Sequence, residues 1–377
     1  MARLLVLLIT LAIWIMLNYY IGVHGLQVWG DLFKGNLLLY WTVLFLLALS
    51  YLLGKIGERI YPGRLSRFMT VIGSYWLAFF FYAFLMLVFI DILHMVDGWL
   101  NFLPAFVKEA NFYTGTAVLL FLLALVVYGS FNARNPVIRQ YNITIARPAK
   151  NVERLHIIMV SDLHLGSIVN DRRLMELVET INKVKPDLVF LVGDIIDENV
   201  KVFKRLGMKK ILEKLKPKIG AYAVLGNHDY YGGEYKEVIK SLEEAGIKVL
   251  RDQYELVADS FYLVGRDDKF SRSRQSLAVL LQDIDQSFPV IVLDHNPIDI
   301  EEARANQVDL QLSGHTHKGQ LAPLNRITRR LFATDWGYLK IDNLQVIVSN
   351  GFGTWGPPVR IGNRPEIVEI FLQFDKV

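Results

Sequence analysis

Four long apolar runs without a single charge occupy the first third of the chain, and they limit its fold more than any other feature. They are Leu4–Ile21, Asn36–Gly54, Thr70–Ile90 and Phe112–Phe131. Each is close to the roughly 20 residues that a helix needs to cross the hydrocarbon core of a bilayer. A buried core helix would explain one such run; it does not explain four in succession. The first run follows Arg3, as a signal peptide would. It is long, however, lacks a small-x-small cleavage site, and ends in Asn18-Tyr19-Tyr20, an interfacial aromatic signature. It reads as a retained span.

The flanking charges orient these spans. Arg3, then Lys55, Arg59, Arg64 and Arg67, then Arg134, Arg139, Arg147 and Lys150 fall on one side, and only Lys34 and Lys108 on the other. Nine against two is a positive-inside bias, which places both termini and everything after Phe131 in the cytoplasm. The segment Leu93–Glu109, with Trp99, Phe102, Pro104 and Phe106, is expected to be an interfacial loop on the outer side. His24 and His94 fall in membrane-side loops on this reading. The runs carry no charged residue, which argues against a transporter or channel, since those functions need polar groups within the spans.

Composition matters here only once it is divided. Hydrophobic residues make up 53% of the 377 and the mean hydropathy is +0.30, and the excess lies in residues 1–131. Residues 1–150 carry 11 Lys+Arg against 5 Asp+Glu, a net +6; residues 151–377 carry 30 against 32, a net −2. The basic excess therefore belongs to the membrane part, and a nucleic-acid partner is not expected. There is no cysteine, so any metal must be held by His, Asp, Glu or Asn.

After the last span, Asn135-Pro136 ends the helix. Residues 132–151 read as a linker, within which Val137–Ile145 has the pattern of a first strand, and 152–377 as a second domain. In that domain strands and helices alternate. Strands are expected at Leu155–Val160, Asp187–Leu191, Ala221–Leu225, Phe261–Val264, Val290–Leu293 and Asp309–Leu312. Helices are expected at Asp171–Val184, Val202–Leu215 and Glu234–Ala245, and the chain turns strand-rich after Arg330, with Leu344–Val348 and Ile367–Phe374. The pattern predicts an α-helical transmembrane bundle of four spans followed by an α/β domain, two packed sheets flanked by helices.

Five short motifs follow apolar strands in this domain: Asp162-Leu163-His164, Gly193-Asp194-x-x-Asp197, Gly226-Asn227-His228-Asp229, Asp294-His295-Asn296-Pro297 and Gly314-His315-Thr316-His317. Five of the eight histidines lie inside them, while His156 sits on a strand. Pairs spaced by one residue at a strand end, such as Asp162/His164 and His315/His317, project to one face. Carboxylate with imidazole suits Mn, Fe or Zn better than Ca or Mg. There are enough donors for two divalent ions with Asp194 between them. Paired ions about 3.5–4 Å apart are an arrangement that activates water and clamps a phosphoryl group.

On these motifs the domain resembles the calcineurin-like metallophosphoesterase family over roughly residues 152–377. More narrowly, it is similar to a bacterial membrane-anchored branch ending in a segment like Asn350-Gly351-Phe352-Gly353-Thr354-Trp355-Gly356-Pro357-Pro358-Val359-Arg360. The resemblance implies a β-sandwich flanked by helices. It implies one metal on Asp162, His164, Asp194 and His317, and a second on Asp194, Asn227, His295 and His315. It further implies His228 as the proton donor to the leaving oxygen, oriented by Asp197. One departure is Lys318-Gly319-Gln320, where similar chains have Gly-Gly-Gln; Lys318 is expected to face solvent rather than a substrate phosphate.

The expected activity is hydrolysis of a phosphodiester or pyrophosphate in preference to a simple monoester, on a membrane-associated or lipid-linked substrate. A nuclease or nucleotide phosphodiesterase is the alternative enzyme, and a non-catalytic scaffold the alternative from another class. The scaffold would be expected to lose ligands, and here all are present. Membrane lipids enter as a partner through Lys201–Lys218, which holds eight cations against Glu213 alone and whose apolar residues recur at near-helical spacing. The short 132–151 segment also limits how far the site can stand from the bilayer.

Overall fold

A computed structural model describes residues 2–108 and 112–375. The chain divides into two compact units, Met1–Ser130 with Gly356–Val359, and Phe131–Trp355 with Arg360–Val377.

The first unit is helical. Its long helices are α1 (Ala2–Trp29), α2 (Leu37–Ile60), α3 (Arg64–Leu100) and, after the short α4 (Ala105–Lys108), α5 (Phe112–Arg134). All four long helices have the length and apolarity to cross a membrane. α1, α3 and α5 contain their expected runs and extend beyond them, while α2 starts one residue inside its run, with Asn36 as its N-cap, and continues to Ile60. The few polar groups inside bind one another: Trp14 Nε1 donates to Ala48 O at 3.0 Å, and Trp76 Nε1 to the buried Asn18 Oδ1 at 3.0 Å.

The segment expected to be an outer interfacial loop differs from expectation. Leu93–Leu100 continues α3, so His94 is helical, as is His24 in α1. The turn that follows is held by Asp97, which accepts from the Leu103 backbone N–H at 2.7 Å and from Lys108 Nζ at 3.0 Å. The last residue of the expected loop, Glu109, lies outside the described residues.

Among the described residues, the second unit has twelve strands in two six-stranded sheets. The first sheet has the order β1 (Val137–Pro148), β12 (Glu366–Asp375), β2 (Arg154–Val160), β3 (Leu188–Val192), β4 (Gly220–Val224), β5 (Ile247–Val249). The second has β10 (Gly337–Ile341), β11 (Leu344–Val348), β9 (Leu310–Ser313), β8 (Val290–Leu293), β7 (Phe261–Gly265), β6 (Gln253–Val257). Phe190, Val192, Leu263, Leu293, Leu312 and Ile370 fill the space between the sheets. Central strands are covered on both faces, which is why Leu188–Val192 is apolar throughout rather than alternating.

The helices outside follow simple local rules. In α6 (Asp171–Val184) the buried residues Leu174, Leu177, Val178 and Ile181 form one stripe against the first sheet, and Asn170 caps the start by accepting from Arg173 N at 3.2 Å.

Two expectations change. Most of the expected linker is β1, which runs parallel to β12 over Val137–Ile145 and so belongs to the sheet. The helix expected over Val202–Leu215 is two pieces, α7 (Val200–Arg205) and α8 (Met208–Leu212), broken at Leu206-Gly207. Phe203, Met208 and Leu212 are buried in the core, so packing rather than a continuous amphipathic face sets this segment. Its cations are partly engaged within the domain: Lys204 with Glu237 at 2.5 Å, Lys209 with Glu244 at 3.0 Å, and Lys218 with Asp187 at 2.8 Å.

Candidate metal centre

The loops that follow β2, β3 and β4 in one sheet, and β8 and β9 in the other, bring the sequence motifs together. Strand alternation is not what does it. Asp162, His164, Asp194, His315 and His317 all lie past their strand ends with positive φ, between 46° and 72°. For residues with a Cβ this left-handed backbone is strained, and five such residues in one place are the kind of concentration that marks functional sites. The turns between the expected pairs, rather than the pleat of the strand, direct their side chains. Glycine permits the closest approaches: Gly193 has φ +75° and any Cβ there would strike the His295 ring, while a Cβ on Gly226 would strike Asp194.

The side chains form overlapping groups. His164 Nε2 lies 3.0 Å from His317 Nε2, and Asp162 Oδ1 lies 3.4 Å from that same His317 nitrogen. Asp194 Oδ2 lies 3.3 Å from His295 Nε2 and 3.8 Å from His164 Nε2, so it stands between two clusters. One is Asp162, His164 and His317; the other is Asp194, His295 and His315. Backbone donors hold the carboxylates: His315 N reaches both Asp162 oxygens at 3.0 and 3.1 Å, and His228 N reaches Asp194 Oδ1 at 2.8 Å. The His295 ring uses Nδ1 to meet the Val192 carbonyl at 2.9 Å, which aims Nε2 at the carboxylates.

This donor set fits divalent ions. Asn227 Oδ1 is buried and has no hydrogen-bond partner among the described residues, and its amide nitrogen is tied to Tyr231 Oη at 2.9 Å. Two imidazole nitrogens facing each other beside two carboxylates need a cation, or a proton, between them. The electrostatics agree. Burial acts first on every one of these groups. It lowers His164 to about 3 and His315 to about 4, keeping both neutral and able to donate lone pairs. Burial alone would also raise Asp194, but His295, His164 and His228 outweigh it and hold this carboxylate well below its usual range.

His228 and Asp197 are near each other without a direct bond: His228 Nδ1 is 3.8 Å from Asp197 Oδ1 and 3.9 Å from Glu198 Oε1. Asp197 also faces His164 Nδ1 at 3.9 Å. The sequence reading missed Glu198, which forms a cluster with Asp197 and His228; only its place beside Asp197 pointed to it. It assigned no role to Asp229, which accepts from Ile196 N at 2.8 Å and Gly226 N at 2.9 Å and so ties one loop to the next. It also left Arg360 without a task. This fully buried guanidinium donates to the carbonyls of Asn350 and Gly353 at 2.8 and 2.7 Å and lies 3.2 Å from His317 Nδ1, bracing the ring from behind.

Lys318, expected to face solvent, is partly buried. Its ammonium sits 3.5 Å above the centre of the Trp336 ring. Its φ of 48° shows why glycine suits this position in similar chains.

Two sheets of this kind, with carboxylates and imidazoles converging from both, define a metal-dependent hydrolase. The model of the calcineurin-like phosphoesterase family matches residues 155–319. The chain is 33% identical over 244 residues to an uncharacterized metallophosphoesterase of Aquifex aeolicus, covering 63% of this chain and 91% of that one. It is 30% identical over 280 residues to a metallophosphoesterase of Helicobacter pylori, covering 72% and 74%. A transmembrane protein with a metallophosphoesterase domain from Danio rerio is 30% identical over 283 residues, covering 71% of this chain and 64% of that protein. The chain belongs to the calcineurin-like metallophosphoesterases, a family of metal-dependent phosphoric ester hydrolases built around a dinuclear divalent centre. Its four apolar helices and its transmembrane relatives mark it as a membrane protein.

Proposed function

We propose that the chain hydrolyses a phosphodiester or pyrophosphate of a membrane-associated or lipid-linked substrate. The observation that carries the hydrolytic part is Asp194, placed within 4 Å of both His295 and His164 and so shared between two ligand groups. Asp162, His164, Asp194 and His317 would hold one ion, and Asp194, Asn227, His295 and His315 the other. When bound, the ions supply Lewis-acid activation of water and charge neutralisation at the phosphoryl oxygens. Asp162 and Asp194, pinned by backbone N–H groups, present fixed oxygens and need no rearrangement during the reaction. His228 is the proton donor to the departing oxygen, positioned by Asp197 and Glu198. Arg360 and Asp229 hold the loops that carry these groups.

The lipid-linked substrate is favoured by the four spans in the same chain and by the lack of basic excess in residues 151–377, which disfavours a nuclease. The pairing of Lys204, Lys209 and Lys218 leaves Lys201–Lys218 a weaker membrane-facing feature than its composition suggests. The spans are read as a multi-pass anchor with the catalytic domain cytoplasmic. Single cysteines near Gly63 and after Arg139 should then resist an impermeant thiol reagent in intact cells while one near Trp99 reacts; the reverse pattern would invert the topology.

The substrate test is an assay of the purified full-length protein with manganese against a diester, a monoester and a lipid-linked pyrophosphate. The diester or pyrophosphate should be cleaved faster than the monoester. His228→Asn should lose about 10²–10⁴-fold on poor leaving groups and much less on an activated nitrophenyl ester. Preference for the monoester would overturn the substrate assignment, and equal losses would remove His228 from its role.

A further inference from the structure

The helical unit has a partly open cavity of about 630 Å³ among α1, α3 and α5, with Tyr40 and Leu44 of α2 at its wall. On α3 the lining recurs in steps of three and four, from Trp76 through Phe79, Ala83, Leu87 and Ile90 to His94. At about 1.5 Å per residue that stripe is about 27 Å long, so the cavity runs along the helices. Residues between Ile21 and Trp29 on α1 and between Thr114 and Leu122 on α5 line it in the same rhythm. Most of this wall is apolar.

One end is different. Asp91 takes the Tyr20 hydroxyl at 2.5 Å on Oδ2, and His24 Nε2 lies 3.3 Å from the same oxygen. His94, about one turn further on, bonds the Val107 carbonyl at 3.2 Å. This is the end farther from the Lys55–Arg67 turn. The Asp91 side chain keeps 43% of its surface exposed, and it also borders a second hollow, formed by Met16, Leu17, Phe84 and Met95, on the lateral surface between α1 and α3. An ionisable cluster of this kind is costly in a membrane-spanning bundle and marks a functional site. The apolar runs alone hide it, because His24 and Asp91 fall just past their ends.

We propose that this cavity binds a single-chain amphiphile, its hydrocarbon tail lying along α3 and its head donating a hydrogen bond to Asp91. The head is a hydroxyl or an amine, not a phosphate: the lining contains a carboxylate and two imidazoles and, among the described residues, no Lys or Arg. The volume lies within the roughly 300–1,000 Å³ of small-molecule sites, and the few polar groups converge at one point. The site is separate from the metal centre and does not rest on the phosphoesterase reading.

The test uses full-length protein in nanodiscs and a hexadecanol that carries a diazirine. Photolabelling should map to residues 21–29 and 76–94 and should be displaced by excess hexadecanol or hexadecylamine, but not by hexadecyl phosphate. The stronger competitor of the first two identifies the head as hydroxyl or amine. Asp91→Leu should weaken displacement by on the order of tenfold, as expected for losing a hydrogen bond to a charged group. Asp91→Asn keeps an acceptor and should retain the alcohol. Ala83→Phe fills the cavity and should abolish labelling, with thermal unfolding in the nanodisc confirming that each variant is folded. Labelling spread evenly over lipid-facing positions such as Leu38 and Leu46, equal competition by the phosphate, or wild-type labelling of a folded Ala83→Phe protein would each overturn the proposal.

Discussion

Leu4–Leu8 and Leu188–Val192 are two five-residue stretches of similar apolar composition with opposite fates. In α1 each residue of the first stretch is between 54% and 62% exposed, while none in β3 is more than 1% exposed. The β3 residues are apolar because a sheet strand covered on both faces has no solvent side. Packing against the rest of the described chain does not account for the α1 residues. Only 6% to 22% of the most apolar window of each long membrane helix is buried. Apolarity in the α/β unit is thus accounted for by its own packing, and in the helical unit by a bilayer. Polar groups show the converse. In the α/β unit they are gathered, buried and strained at the strand ends, whereas in the helical unit the charged ones lie towards the helix ends.

The comparison breaks most sharply at Asp194. Asp194→Asn should lower turnover by more than the roughly 10²–10³-fold that loss of a single electrostatic stabiliser costs, because one carboxylate serves both ligand groups. Elemental analysis should show reduced metal content. A variant with wild-type turnover and a full load of two metals would show that the buried cluster is structural only.

A smaller effect tests the other half. Leu46 on α2 is 57% exposed. If that surface faces lipid, Leu46→Arg should cost about 2.5–3.5 kcal/mol of membrane insertion, measured by glycosylation mapping of α2. On a water-facing surface the same change would be worth about 0.5 kcal/mol or less, and unchanged insertion would remove the distinction between the units.

The smallest effect sharpens the account of buried charge. Burial first, then the Asp194 charge, raise Asp229 to about 7. A carboxyl raised on folding contributes stability that is fully present below its ordinary value of about 4 and is lost as pH rises through about 7. In metal-free protein, the melting temperature of the wild type relative to Asp229→Asn should therefore fall between about pH 4 and pH 7. Added divalent metal, which offsets Asp194, should flatten the trend. A flat metal-free difference would mean that the backbone donors around Asp229 keep it ionised throughout.

Much of the architecture was legible in the residues. The four helices, α6, β8 and β11 follow from periodicity and apolar runs, since local patterning alone decides whether a segment is buried on one face or two. The five motifs also stood out, because carboxylates and imidazoles gathered after apolar strands are costly to bury unless something pairs with them. For other elements the local pattern was not enough, even where, as at Val137–Ile145, it marked a strand. Residues 137–148 carry an alternating pattern that cannot say which strand pairs with them, and the partner is β12, more than two hundred residues away in the chain. The helix expected over Val202–Leu215 failed because packing of Phe203, Met208 and Leu212 overrode a near-helical rhythm.

The sequence by itself determined which residue types are available and where the apolar segments lie, because both are properties of the local chain. Only the tertiary structure decided that Glu198 stands beside His228, that Arg360 braces His317 and that Lys318 lies on Trp336. It likewise decided that His24 and Asp91, 67 positions apart, meet at one oxygen. Such contacts depend on distances across the fold, which the backbone sets through strand order, left-handed turns and helix packing, and no local pattern encodes them.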